Sequence, residues 1–100
     1  MDALHEEISK LLAATEENRR RFLEVEADTC GIALDRGRLE LSLGDSQEAR
    51  KEYHIAVHGV EVIEHFLGQS QNDLPHIQAR LEILKQSLDS FRQEIEAFAQ

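Results

Sequence analysis

Leu74, Ile77, Leu81, Leu84, Leu88, Phe91, Ile95 and Phe98 follow one another at intervals of three and four. At about 100° per residue, that spacing draws one narrow stripe along an α-helix, whereas a strand would scatter the same side chains over both faces. Fully burying each of them is worth about 1.5–3 kcal/mol before entropy is counted, so such a helix has to dock against others. The chain is thereby committed to helix packing. Pro75 suits the first turn, where its missing N–H costs nothing, and Gly68 with the polar run Gln69, Ser70, Gln71, Asn72 and Asp73 predicts the loop before it. Ile83 falls off the stripe and is expected to be a lone exposed residue.

A second helix is predicted over 45–68. Gly44 can take the left-handed conformation that ends a helix after Leu43, while Asp45 can cap the next one with Glu48 reaching back. Ala49, Tyr53, Ala56, Val60, Ile63 and Leu67 form its first stripe. Ile55, Gly59, Val62 and Phe66 form another, roughly 100° round, which a helix needs only if it touches more than one partner. This helix is expected to be the most buried, on about two thirds of its circumference.

The segment 2–43 has no proline and no clear loop. Leu4, Ile8, Leu11, Thr15, Phe22 and Val25 keep a seven-residue rhythm with Asn18 as a polar interruption, and Thr29, Ile32, Leu39 and Leu43 carry it on. A different line, Leu23, Ala27, Cys30, Leu34, Gly37 and Leu41, runs through the second half alone, so that half can face two neighbours. Two architectures follow. Either one helix of about 40 residues, roughly 60 Å long, runs to Gly44 and is straight or kinked at Gly31, or a break near 27–31 makes two helices. The first is preferred, because loop residues are lacking. The predicted fold is all-α, an antiparallel bundle of three long helices, or four if the first is broken. One hundred residues with 41% hydrophobic content fit a single domain over 1–100.

Residues 33–56 resemble a single tetratricopeptide repeat, because Gly37, Gly44, Ala49, Tyr53 and Ala56 stand at that family's spacing of small and aromatic residues. The chain departs from the family at Arg36 and Glu40, where large apolar and aromatic residues are usual, and at Glu61, where a proline closes the repeat. With a long third helix behind it, the same stretch also resembles a microtubule-interacting and transport domain, which holds partner helices in grooves between its own. Both resemblances imply protein binding.

The formal charge of −9 disfavours nucleic acid and anionic membranes as partners. Arg19, Arg20 and Arg21 are a local exception and are expected to pair with nearby glutamates. Cys30 is the single cysteine, which excludes an internal disulfide, suits a reducing compartment and predicts a packing role. No basic and apolar leader and no apolar run near 18 residues is present, so the expected location is the cytoplasm.

His54, His58, Glu61 and His65 share one face and carry good zinc-ligand chemistry. That face lies opposite the Ala49 to Leu67 stripe, so it is expected to be solvated, and it becomes a metal site only if a second subunit meets it. An exposed histidine on a bundle is also similar to the histidine phosphotransfer domain, whose phosphorylated histidine is followed one turn later by lysine and glycine. His54 is followed by His58 and Gly59, without the lysine that would steady a phosphoryl group. Adjacent acids such as Glu6 and Glu7, or Glu16 and Glu17, point about 100° apart and cannot share a proton. No nucleophile triad, phosphate loop or metalloprotease pattern occurs. No enzyme, cofactor or catalytic residue is expected.

The expected function is a small adaptor or chaperone-like module that receives a partner helix along Ile32, Leu39, Val62 and Phe66. The alternative is a signalling or metal-binding bundle that uses the histidine face. Two partners of about 25 residues cannot cover a helix of about 40. Leu4, Ile8, Leu11, Thr15 and Phe22 are therefore expected to pair in a homodimer, as an antiparallel coiled coil or bundle.

Overall fold

A computed structural model describes the backbone at residues 2–69 and 74–99, and the side chains at residues 15–68 and 74–98. Three helices account for it: α1 (Asp2–Ser42), α2 (Ser46–Gln69) and α3 (Pro75–Ala99). All three predicted helices are present. α1 passes through 27–31 as unbroken helix, so the four-helix alternative is excluded. Within that stretch, Thr29 Oγ1 donates back to the Val25 carbonyl at 2.9 Å, one turn earlier on the same helix. Of the loop expected from Gly68 to Asp73, Gly68 and Gln69 complete α2 and the remainder lies outside the described residues.

The turn between α1 and α2 closes as its residues require. Gly44 has φ +86°, Asp45 N–H donates to Glu40 O at 2.8 Å and Gly44 N–H donates to Leu41 O at 3.0 Å. Those two bonds satisfy the last carbonyls of α1 in a Schellman arrangement that only the glycine enters without strain. Asp45 then caps α2, its Oδ1 accepting from Glu48 N–H at 3.0 Å. The Glu48 carboxylate does not reach back as expected. It pairs with Lys51 at 2.9 Å instead. At the start of α3, Leu74 O accepts from Gln78 N–H at 3.0 Å, which leaves Pro75 at the first helical position, where no donor is needed.

Contacts between helices set their directions. Cys30 Sγ donates to Ala56 O at 3.5 Å and Phe22 meets Phe66 edge-on with ring centroids 5.3 Å apart, so α2 runs antiparallel to α1. Asp28 holds Arg80 at 2.6 Å and Arg38 holds Glu94 at 3.3 Å, so α3 runs parallel to α1. Lys85 with Glu64, 3.5 Å apart, and Tyr53 with Phe91 link α2 to α3.

Small residues let the helices approach. A Cβ on Gly37 would lie 2.5 Å from Phe91 Cζ, and one on Gly59 would collide with Cys30 Sγ. Ala27, Ala33, Ala49 and Ala56 are buried in the same seams. The core of α1 is the line Leu23, Ala27, Cys30, Leu34 and Gly37, with Leu41 partly buried at its end. α3 contributes Ile77, Leu81, Leu84, Leu88, Phe91 and Ile95.

Three expectations about burial need correction. Within 15–43, only one of the two apolar lines of α1 is covered, and the seven-residue rhythm through Phe22, Val25, Ile32, Leu39 and Leu43 is exposed, because α2 and α3 both sit against the other line. On α2 the second stripe is incomplete: Gly59 is buried, Val62 and Phe66 are half-buried, and Ile55 is exposed. α2 nonetheless keeps a smaller share of exposed residues than α3, whose core residues from Ile77 to Ile95 form a single line. Phe98 also leaves the seam and is exposed, because α1 ends at Ser42 and no longer lies beside it.

The lengths are unequal, at 41 residues for α1 against 24 and 25 for α2 and α3. Phe66, near the end of α2, meets Phe22, and α1 continues from there to Asp2 for about 20 residues, or roughly 30 Å at 1.5 Å per residue.

Candidate protein-binding flank

Exposure of large apolar side chains is concentrated. Phe22, Val25, Ile32, Leu39 and Leu43 project along one side of α1, and Ile55 stands beside them on α2. Ile32 is 54% and Leu43 72% exposed. Isolated exposed apolar residues are ordinary, so it is their alignment along one side of α1, interrupted by Thr29 and Arg36, that singles out this flank as the candidate site. Elsewhere Ile83 and Phe98 are exposed singly on α3.

Two shallow depressions lie along the flank. One is lined by Thr29, Ile32, Ala33, Arg36, Glu52 and Ile55. The other, nearer the start of α1, is lined by Thr15, Asn18, Arg19, Phe22 and Phe66. The edge-on contact of Phe22 with Phe66 forms its floor and leaves Phe22 40% exposed. Such a ring pair is worth about 0.5–1.5 kcal/mol beyond the area it buries.

Of the predicted partner-binding residues, Ile32 and Leu39 are on the flank, Phe66 lines its lower depression, and Val62 is half-buried. Of the predicted dimer residues, Thr15 and Phe22 are exposed on the same side, while the side chains of Leu4, Ile8 and Leu11 lie outside the described residues. Val25, Leu43 and Ile55 belong to the flank and were not singled out by sequence for binding. Val25 and Leu43 stand in the same seven-residue rhythm as Ile32 and Leu39, which is the signal that would have included them.

Charges border the row. Glu17 accepts from Arg20 and lies within 3.3 Å of Arg21, and Arg20 also reaches Glu24 at 3.0 Å. The Arg20 hydrogen bond holds the Glu17 carboxyl below its ordinary range. Arg20 and Arg21 therefore pair locally, as expected from the sequence, while Arg19 lines the depression beside Phe22.

The histidine face is a separate surface. His54, His58, Glu61 and His65 are exposed on α2, opposite Ala49, Ala56 and Ile63 of the core. Among the described residues, no three His, Cys, Asp or Glu side chains gather closely enough to hold a metal ion. Cys30 is buried, and desolvation, with Glu26 adding to it, pushes its thiol up to about 11. It packs at the α1–α2 crossing, where burial disfavours the reactive thiolate.

No family model, curated protein or solved structure matches this chain. Among the described residues, no helix is long and apolar enough to cross a membrane.

Proposed function

We propose that this chain is a non-catalytic protein-interaction module of the cytoplasm, an adaptor or chaperone-like bundle whose open α1–α2 flank receives a partner helix. The observation that carries this reading is the row Phe22, Val25, Ile32, Leu39 and Leu43 with Ile55 beside it. Such a row, with apolar side chains three, four or seven residues apart along one side of α1, is matched by the apolar face of an amphipathic helix lying alongside. The close approach of α1 and α2 at Gly37, where a Cβ would lie 3.2 Å from Glu52 Cβ, supports a tetratricopeptide-like hairpin geometry over 33–56 as the scaffold.

A photo-activatable residue placed at position 32 in cells tests it, with position 83 as the control because Ile83 is exposed on α3 away from the flank. Crosslinks to protein from position 32 and not from 83 are expected. Equal or absent crosslinking at both positions would remove the flank as the binding surface. The rival reading, signalling or metal binding through His54, His58, Glu61 and His65, requires zinc to raise the melting temperature with dose and His58→Ala to abolish the rise. The dispersed, exposed placement of those side chains leads us to expect no rise.

A further inference from the structure

The open flank has a regularity that outlasts the bundle. Thr15, Asn18, Phe22, Val25, Thr29 and Ile32 alternate by three and four, Arg36, Leu39 and Leu43 continue the alternation, and Leu4, Ile8 and Leu11 precede it in the same register. A heptad seam sustained over the whole of a 41-residue helix is the pattern of helix-to-helix pairing in a coiled coil. Within residues 15–43 of one copy this seam lies largely outside the bundle and is touched at Phe22 by Phe66, because α2 and α3 pack on the other line.

We infer, resting on the flank reading above, that its occupant is a second copy of this chain. The two α1 helices pair antiparallel about a two-fold axis that passes between Leu23 and Glu24. In that register, Phe22 packs beside the second copy's Val25, Thr15 beside its Ile32 and Asn18 beside its Thr29, while Arg36 falls level with its Leu11. Along the edge away from α2, Arg21 falls opposite the second copy's Asp28, and symmetry repeats the pair. Arg21 is 70% exposed, and Asp28 stays 65% exposed beside Arg80, so both are accessible for this contact. Parallel pairing in register would also give Arg21 an acidic neighbour, Glu26, but it would stack Arg36 on Arg36 and set Asp35 beside Glu40, like charges in both places. Charge complementarity selects the antiparallel arrangement.

Length agrees with it. The part of α1 beyond Phe22 spans about 20 residues, or roughly 30 Å, and antiparallel pairing lays it on the partner's stretch from Val25 to Leu43 and beside Ile55. Each end then gains a fourth helix. A seam about 60 Å long and one helix width of about 10 Å across projects to roughly 600 Å² per copy. Accessible surface over side chains exceeds its projection, which brings the contact to the scale of about 800 Å² per partner that stable complexes bury.

The full chain is tested by sedimentation equilibrium, and by a Thr15→Cys, Ile32→Cys, Cys30→Ala variant oxidised at low concentration. A dimer is expected, with bridges joining position 15 of one copy to position 32 of the other. Arg21→Asp should weaken dimerisation about tenfold, from two lost pairs of up to about 1 kcal/mol each, and adding Asp28→Arg should restore it. Bridges joining 15 to 15 and 32 to 32, or a chain that sediments as a monomer at tens of micromolar while its circular dichroism stays helical, would overturn the inference. A monomer that still crosslinks to another protein through position 32 would overturn self-pairing alone, whereas silence at position 32 would remove the flank reading with it.

Discussion

Gly59 and Cys30 are fitted to each other, since a Cβ at position 59 would enter the sulfur. Gly59→Ala should therefore destabilise by about 1–3 kcal/mol, and Cys30→Ala should relieve much of that loss. A double-mutant cycle on thermal melts reads the coupling, and additivity would show that the crossing has room to spare. Gly31 behaves oppositely, because a Cβ added there would meet nothing within 4 Å. Gly31→Ala should stabilise by about 0.8–1 kcal/mol, the helix-propensity difference. Cys30 also imposes a pH limit. Its thiol titrates near 11 when folded against 9.0 for the exposed group, so above pH 9 the unfolded chain loses a proton that the folded one retains. Stability is then full below pH 9 and falls by about 1.4 kcal/mol per unit towards pH 11. Urea midpoints across that range check the sign, with Cys30→Ala expected to flatten this part of the slope.

At the scale of helices, their bounds were legible because each end carries its own chemistry: Gly44 with Asp45 between α1 and α2, and Pro75 opening α3. Which line of α1 would be covered was harder to read, because both lines are apolar and both keep helical spacing. The physical discriminator was size. Ala27, Cys30, Ala33 and Gly37 are small and match Ala49, Ala56 and Gly59 on α2, so helix axes can approach there, while Phe22, Val25 and Ile32 are bulky and hold a neighbour farther off. Half of the binding flank was named from sequence for a related reason: spacing located Ile32 and Leu39, but exposure of Ile55 depends on where α3 sits, which no local pattern encodes. Phe91 is fully buried against α1 and α2, with Arg38 5.8 Å over its ring. Phe91→Ala should cost about 3–5 kcal/mol, whereas Ile83→Ala should stay within about 0.5 kcal/mol, both measured by chemical denaturation.

The whole molecule extends 67 Å along its length and only 19 and 15 Å across, with a radius of gyration of 17.8 Å. If a second copy lies along α1, folding and association are linked, and the melting temperature should rise with protein concentration. Removing residues 1–14 should cut that dependence and leave the packed part of α1 with α2 and α3 intact, which melts at two concentrations would reveal. The rod-like outline has a practical result for hydrodynamic work. A compact chain of 100 residues has a radius of gyration of about 13 Å, so a single copy of this one diffuses slowly for its mass and leaves a gel-filtration column early. Elution volume calibrated on spherical standards would therefore assign two copies where there is one, and the stoichiometry has to be weighed by light scattering or sedimentation equilibrium, which respond to mass and not to shape.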